Sequence, residues 1–304
     1  MTIASIACTM ALAVAGCAAR PLHVAAAGDV QLGTTLTTSP FAEGLLVGDV
    51  RFVNLEGPLT TRGSVGSGAD DRFVFAPERA EWLRDRVDVV ALANNHALDQ
   101  GAAGRDDTVR ALARASVTAA YETHDAVVTR RGRRVTIVAR QFAPEAPLDD
   151  AAADALVAAV AHAARPTLVS LHWGHTGLYV PDDTQRRLAA RLVAAGASAV
   201  IGHGPHTVQG IERRGRAVIA YSLGNFAFGC ACTDVGDAVM LDFALDGAGA
   251  ARDVTLTPLV AGLGQPPRRA HDPGLTALLL QLSHDLGSDV TIEHAGDGDR
   301  LRLR

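Results

Sequence analysis

Residues 197–206 read Ala197-Ser198-Ala199-Val200-Ile201-Gly202-His203-Gly204-Pro205-His206. A short apolar run meets a turn that carries two histidines. The run has the length and the small or β-branched side chains of a buried strand. Pro205 and the two glycines disfavour a continuing helix, so the histidines are presented on a loop beyond a strand end. Taken alone, such a pair could equally cap a turn or face solvent.

The same grammar recurs outward in both directions. Residues 23–27 end in Gly28-Asp29, and residues 50–54 run into Leu55-Glu56. Residues 87–93 end in Asn94-Asn95-His96, and residues 167–171 in His172-Trp173-Gly174. Residues 217–221 end in Ser222-Leu223-Gly224-Asn225. Helical patterns lie between them at 77–86, 102–115, 148–164 and 184–195. Alternation of strand and helix predicts an α/β fold. Residues 127–139 and 211–221 read as hairpins, and 239–245 and 254–260 as further strands, so the sheets are mixed.

In open α/β sheets, ligands bind at the carboxyl ends of strands. One polar strand end is ordinary turn chemistry, because Asp and Asn favour turns. Here five strand ends supply Asp29, Asn54 with Glu56, Asn95 with His96, His172, and His203 with His206. Carboxylate, amide and imidazole donors suit borderline divalent ions such as Zn, Mn or Fe. Their number exceeds what one tetrahedral ion needs, which predicts two divalent metal ions sharing a ligand.

The chain of 304 residues, 48% of them hydrophobic, is long enough to bury a core without disulfides. All 28 Lys+Arg positions are arginine, which excludes Schiff-base and P-loop lysine chemistry. A net charge of −5 and 4% aromatic residues disfavour a nucleic-acid partner. No Gly-x-Ser-x-Gly motif offers a serine nucleophile. The arginines of 130–134 read either as a contact for an anionic polymer or as a solvated hairpin turn.

Residues 1–16 are small and apolar and are followed by Cys17. Val14-Ala15-Gly16-Cys17 resembles a bacterial lipobox, which predicts a signal peptide over 1–16 and a lipidated Cys17. No basic residue precedes Arg20, which departs from the usual leader. The expected location is extracytoplasmic and membrane-anchored, with a secreted protein as the alternative. One domain is expected over 22–262. A C-terminal appendage, 263–304, would hold a helix near 274–286 and a hairpin around 297–299. Cys230 and Cys232 are too close for an unstrained disulfide and do not make a zinc site by themselves.

Six segments in order resemble the motifs of the CapA family, associated with poly-γ-glutamate capsule synthesis. They are Gly28-Asp29, Asn54-Leu55-Glu56, residues 92–99, Ser170-Leu171-His172-Trp173-Gly174, residues 202–206 and Tyr221-Ser222-Leu223-Gly224-Asn225-Phe226. That family resembles the calcineurin-like metallophosphatases. The resemblance implies a four-layer α/β/β/α sandwich with a dinuclear metal centre. Asp29 would be the first-strand ligand and bridge, and Glu56 would stand where the phosphatases have an aspartate. Asn95, His172, His203 and His206 would complete the metal shells, with Asn95 also holding a substrate oxyanion. His96 would be the general acid. Asp99 would orient it or simply start a helix. Asn54 would bind the Glu56 carboxylate or the substrate, or shape a turn. Ser222 and Asn225 would line the floor or shape a turn.

Two positions depart from the family pattern: Gln31 replaces a common Met, and Thr176, after His175, replaces a common Glu. The implied function is a capsule-type envelope protein that hydrolyses phosphoester or amide bonds. The alternative is a non-hydrolytic assembly, polymer-binding or transfer factor. Its partners would be an anionic polymer or phosphoester, capsule-synthesis membrane proteins, and the membrane through the lipid anchor.

Overall fold

The computed structural model describes residues 20–64, 72–143, 148–229, 236–262, 264–296 and 298–304. The expected signal peptide, Cys17, Cys230 and Cys232 lie outside the described residues. Among the described residues, sixteen strands form two mixed sheets. In chain order these are β1 (Leu22–Gln31), β2 (Val50–Leu55), β3 (Val89–Ala91), β4 (Thr118–Ala120), β5 (Ala126–Arg130) and β6 (Arg133–Gln141). Next come β7 (Thr167–His172), β8 (Ala199–His203), β9 (Ile211–Arg214), β10 (Ala217–Ala220) and β11 (Asn225–Phe228). The last five are β12 (Asp237–Leu245), β13 (Ala251–Gly262), β14 (Gln265–Arg269), β15 (Val290–Ala295) and β16 (Gly298–Leu303).

The larger sheet runs β15-β16-β13-β12-β1-β2-β3-β4, with β11 also on β1 and β14 on β13. The smaller runs β5-β6-β7-β8-β10-β9. Helices α1 (Gly101–Arg114), α2 (Asp150–His162), α3 (Asp183–Ala195) and α4 (Pro273–Asp285) complete the set. The predicted helix at 77–86 is a single 3-10 stretch, Pro77–Trp82, and Asp85 at φ 58° breaks the path beyond it.

The two-residue period of a strand sorts the side chains into layers. Val24, Phe52, Val89, Ile137, Leu168 and Ile201 point between the sheets and form the shared core. Val53, Leu55 and Val90 point the other way, against Leu83, Ala111 and Leu112. Val138, Val169 and Val200 pack outward on Leu156, Val160, Leu188 and Leu192. The order helix, sheet, sheet, helix is the four-layer α/β/β/α sandwich. Helix α3 starts on a capping box, Asp182 with Gln185, and stops at Gly196 in the left-handed region, φ 111°.

The tail joins the larger sheet through the pairing of β16 with β13, and α4 meets the smaller sheet, where Ile211 N of β9 donates to Ser283 Oγ at 3.0 Å. The arginines of 130–134 tie the β5–β6 hairpin to the larger sheet. Arg130 pairs with Asp88 at 2.7 Å and Arg131 with Asp49 at 2.8 Å.

Strict alternation fails at one place, and that place positions the site. Ala27 and Val30 both pack outward, and the β1–β2 register shifts between Ala26 and Asp29. The skipped residue, Gly28, turns the Asp29 carboxylate inward, as a bulge does. A Cβ on Gly28 would run into the Gly224 carbonyl oxygen, the group that accepts from Asp29 N at 2.9 Å. Gly28→Ala is therefore expected to cost about 1–3 kcal/mol, as overpacking does. A melting temperature equal to wild type in a thermal melt would contradict this close approach.

Candidate metal centre

Period-two alternation carries the core face of each parallel strand to its polar end. On β2, Phe52, Asn54 and Glu56 follow one another on the inner face; on β7, Leu168, Ser170 and His172 do so; on β8, Ala199, Ile201 and His203. Two sheets thus deliver carboxylates from one side and imidazoles from the other into the same buried space. Asp29, Glu56, His172 and His203 are all buried.

Asp29 is the hub. Its Oδ1 accepts from Asn54 Nδ2 at 2.8 Å and lies 3.3 Å from His203 Nδ1. Its Oδ2 accepts from the backbone N–H of Gly204 at 3.3 Å and lies 3.4 Å from His206 Nδ1. Gly204 reaches this position with φ 106°, and His206 sits at φ 59°. A left-handed histidine is strained, and strain of this kind clusters where a site demands it. Asn225 Oδ1 lies 2.9 Å from His206 Nδ1 and helps to fix the ring.

Glu56 is the second carboxylate. Its Oε1 lies 3.7 Å from His206 Nε2 and 3.8 Å from His172 Nε2. Both Glu56 oxygens, both ring nitrogens of His203 and Nδ1 of His172 have no hydrogen-bond partner among the described residues. A buried unpaired carboxylate costs several kcal/mol unless something compensates it. Asp29, Glu56 and His206 each offer a ligand atom, and these atoms lie within 4.8 Å of one another. The orphaned oxygens and nitrogens are the donor types a borderline divalent ion takes, so the residues fit a metal.

The electrostatics agree. Burial alone would raise Asp29, yet the imidazoles of His203 and His206 hold it well below the usual carboxylate range. Burial pushes Glu56 up to about 7. Burial pushes His172 down to about 3, leaving it neutral and ready to donate a lone pair. His206 resists its own burial because Glu56 and Asp29 flank it, and it rises to about 10. A proton on His206 stands where a cation is wanted.

His96 lies beside this cluster. Its Nδ1 is 2.8 Å from Asp99 Oδ2, and its ring stacks on Phe73 with centroids 4.0 Å apart. Asp99 thus does contact His96 as well as preceding α1. Asn95 lies exposed on the same turn. Its buried neighbour Asn94 makes the contacts: Nδ2 donates to Asn54 Oδ1 at 3.0 Å and to Leu55 O at 2.9 Å, and Oδ1 accepts from His96 N at 3.2 Å. With its amide oxygen and nitrogen exchanged, the orientation that satisfies both, Gln141 bridges this turn by donating to Asn94 O at 2.8 Å and accepting from Asn95 N at 3.3 Å.

Asn54 binds Asp29 rather than Glu56. Ser222 Oγ donates to Thr207 O at 2.6 Å and accepts from Gly224 N at 3.3 Å, which shapes the crossing from β10 to β11. Gln31 caps the backbone N–H of Gly33 at 3.0 Å, a local reason for its presence. His175 is partly exposed, 3.9 Å from Asp182. Asn94, Phe73, Gln141 and the Gly204 amide escaped sequence reasoning. The Asn94-Asn95 doublet was a signal for Asn94 alone.

The bacterial capsule synthesis protein family PGA_cap matches residues 23–230, a span that contains every residue of the candidate metal centre. The chain belongs to that family. Among its curated relatives, the PGA biosynthesis protein CapA of Bacillus subtilis is 31% identical over 228 residues, which is 68% of this chain and 60% of the relative. The capsule biosynthesis protein CapA of Bacillus anthracis is 29% identical over 208 residues, covering 60% and 51%. A probable polyglutamine synthesis accessory protein of Mycobacterium tuberculosis is 30% identical over 217 residues, covering 59% and 57%. The chain therefore spans between half and three fifths of the length of these relatives. A hypothetical protein of Thermus thermophilus superposes with a TM-score of 0.46 at 19% identity, covering 82% of this chain and 98% of its own.

Metal binding is expected to show as a thermal shift. Saturation at a hundred times Kd stabilises by about 2.7 kcal/mol. Mn, Fe(II) or Zn added to chelator-treated protein should raise the melting temperature, and Asp29→Ala should abolish that rise. Glu56→Gln removes a carboxylate that burial makes costly, so the metal-free variant should melt no lower than wild type. A metal-dependent rise undiminished in Glu56→Gln would remove Glu56 from the ligand set.

Proposed function

We propose that this PGA_cap family member is a metal-dependent hydrolase of phosphoester or amide bonds in envelope polymer synthesis. One observation carries the reading. Buried donors without partners converge from both sheets around Asp29, and a histidine–carboxylate pair stands beside them.

Two divalent ions are proposed, which Asp29 would help to hold. Glu56, Asn95, His172, His203 and His206 are the remaining ligands. When bound, such ions supply Lewis acidity and activate water near neutral pH. The protein's own groups do the rest. Asn54 and Gly204 N–H orient the Asp29 carboxylate. Asn94 fixes Asn54 and the amide of His96 together, so the turn and the hub move as one. Asp99 holds His96 Nδ1, leaving Nε2 to hand a proton to the departing oxygen. Phe73 stacks on the ring and limits its rotation. Ser222 and Asn225 shape the floor.

The substrate is proposed to be an anionic polymer or a phosphoester precursor. The chain is proposed to act outside the cytoplasmic membrane, anchored through a lipidated Cys17 near capsule-synthesis membrane proteins. Relatives named for capsule and PGA biosynthesis support the polymer, and the Val14–Cys17 segment supports the anchor.

The metal-loaded protein is expected to hydrolyse an aryl phosphate or a poly-γ-glutamate chain. His96→Ala should lower kcat by roughly 100- to 10,000-fold with little loss of metal, the range for one general acid. Turnover unchanged in His96→Ala would remove the acid assignment. Bound metal without hydrolysis across both substrate classes would point to the assembly factor instead. Cys17→Ser should move the protein from the membrane fraction to the soluble one; unchanged membrane partition would sink the anchor.

A further inference from the structure

A second polar pocket lies on the outward face of the larger sheet, away from the metal centre. That face is elsewhere apolar: Val53, Val90, Met240 and Leu259 pack there in one cluster. On β12 and β13 the alternation changes character. Leu241 and Leu256 point into the core between the sheets, so Asp242, Thr255 and Thr257 point outward. Asp242 stands opposite Thr255 in the ladder, and Met240 opposite Thr257. Arg269 comes in from β14 and Arg300 from β16, two strands that flank the same edge of β13. These five polar side chains line one open-mouthed cavity of about 180 Å³, together with Met240, Gly44, Leu45 and Val47. Sites for drug-sized ligands hold roughly 300–1,000 Å³, so this one takes a smaller molecule.

The charges select what fits. Asp242 repels a simple anion, and two guanidiniums repel a simple cation. A molecule that carries both signs meets both demands. Guanidinium forks match a carboxylate. The Asp242 carboxylate is largely buried; burial lifts it to about 7, although Arg269 and Arg300 pull it down. Asp242, set opposite Thr255 on the cavity wall, is the acceptor matched to an ammonium. Thr255 and Thr257 hydroxyls supply donors and acceptors between the two poles.

We infer that this cavity is a binding site for a small zwitterion of the α-amino-acid kind. Its ammonium faces Asp242 and its carboxylate faces Arg269 and Arg300. The site shares no residue with the carboxylate–imidazole cluster, so it stands whether or not that cluster is catalytic.

The test is calorimetric titration of the whole protein with a panel of L-α-amino acids. Each binder is then repeated as its des-amino acid and as its carboxamide. At least one amino acid should bind, and both truncated analogues should lose roughly tenfold or more, the scale of one charge-assisted hydrogen bond. Asp242→Asn should weaken the amino acid by a similar factor. Arg300→Gln, on the partly exposed β16, serves if Asp242→Asn does not fold. Absence of binding across the panel would overturn the site. So would a des-amino analogue that binds as well as its parent, or wild-type affinity in the folded variants.

Discussion

The Asp29 carboxylate is the interaction on which the site and much of the fold depend. It is buried and accepts from Asn54 and from the Gly204 amide, with the rings of His203 and His206 alongside. These partners come from β2, from the end of β8 and from the loop beyond it. β1 and β2 belong to one sheet and β8 to the other. A charge in the interior is tolerated only when its partners are fixed, so the two sheets must meet at this end in one register. The Gly28 bulge supplies the inward turn, and the chain crossing at 221–224 supplies Asn225 on the far side.

The rest of the cluster follows from the same low-dielectric space. Two carboxylates and three imidazoles cannot all be satisfied by one another. Glu56 and His203 are left with orphaned atoms, and the positive charge concentrates on His206. This is a frustrated arrangement for a structural network, since half-satisfied polar groups destabilise a core. It is a sensible one for a ligand set. Asp29, Glu56, His172, His203 and His206 would hold a divalent cation, and Glu56, His172 and His203 would do so with atoms that are otherwise unpaired.

The strand-end grammar made an α/β fold with mixed sheets and most of the cluster legible, and the family resemblance supplied the four-layer order. Burial on both faces gives short continuous apolar runs, and a polar residue ending such a run must have a reason to be there. Glu56, His172 and His203 are legible because each continues the inward alternation of its own strand. The Asn94-Asn95 doublet was not resolvable, because adjacent residues on a turn point in different directions and no period decides which goes inward. The resemblance implies Asn95 as a ligand, and that remains the proposal; in the structure Asn94 makes the buried contacts and Asn95 lies on the exposed part of the turn. The bulge at Gly28 and the pairing of β11 with β1 were equally hidden. Both depend on a backbone approach between residues nearly two hundred positions apart, for which a single sequence carries only a glycine as the sign. The 77–86 segment misled for a local reason: its apolar spacing suits a helix, but the backbone turns at Asp85.

Burial divides the histidines into two chemical kinds. His172 is driven down to about 3 and stays neutral at any physiological pH, so it can offer a lone pair but cannot shuttle a proton. His96 is held differently: partly exposed, stacked on Phe73 and bonded to Asp99. The Asp99 carboxylate at Nδ1 fixes which way the ring faces, and partial exposure keeps the ring within reach of solvent. A site that needs both electron-pair donors and a proton donor from the same side chain must separate them by environment. Here the separation is made by depth: His172 and His203 sit buried between the sheets at the strand ends, and His96, the proposed proton carrier, sits one turn outside them. Asn94 links the two depths, bonding Asn54 below and the His96 amide above. Its loss would therefore loosen the spacing between donor and acid without removing either group.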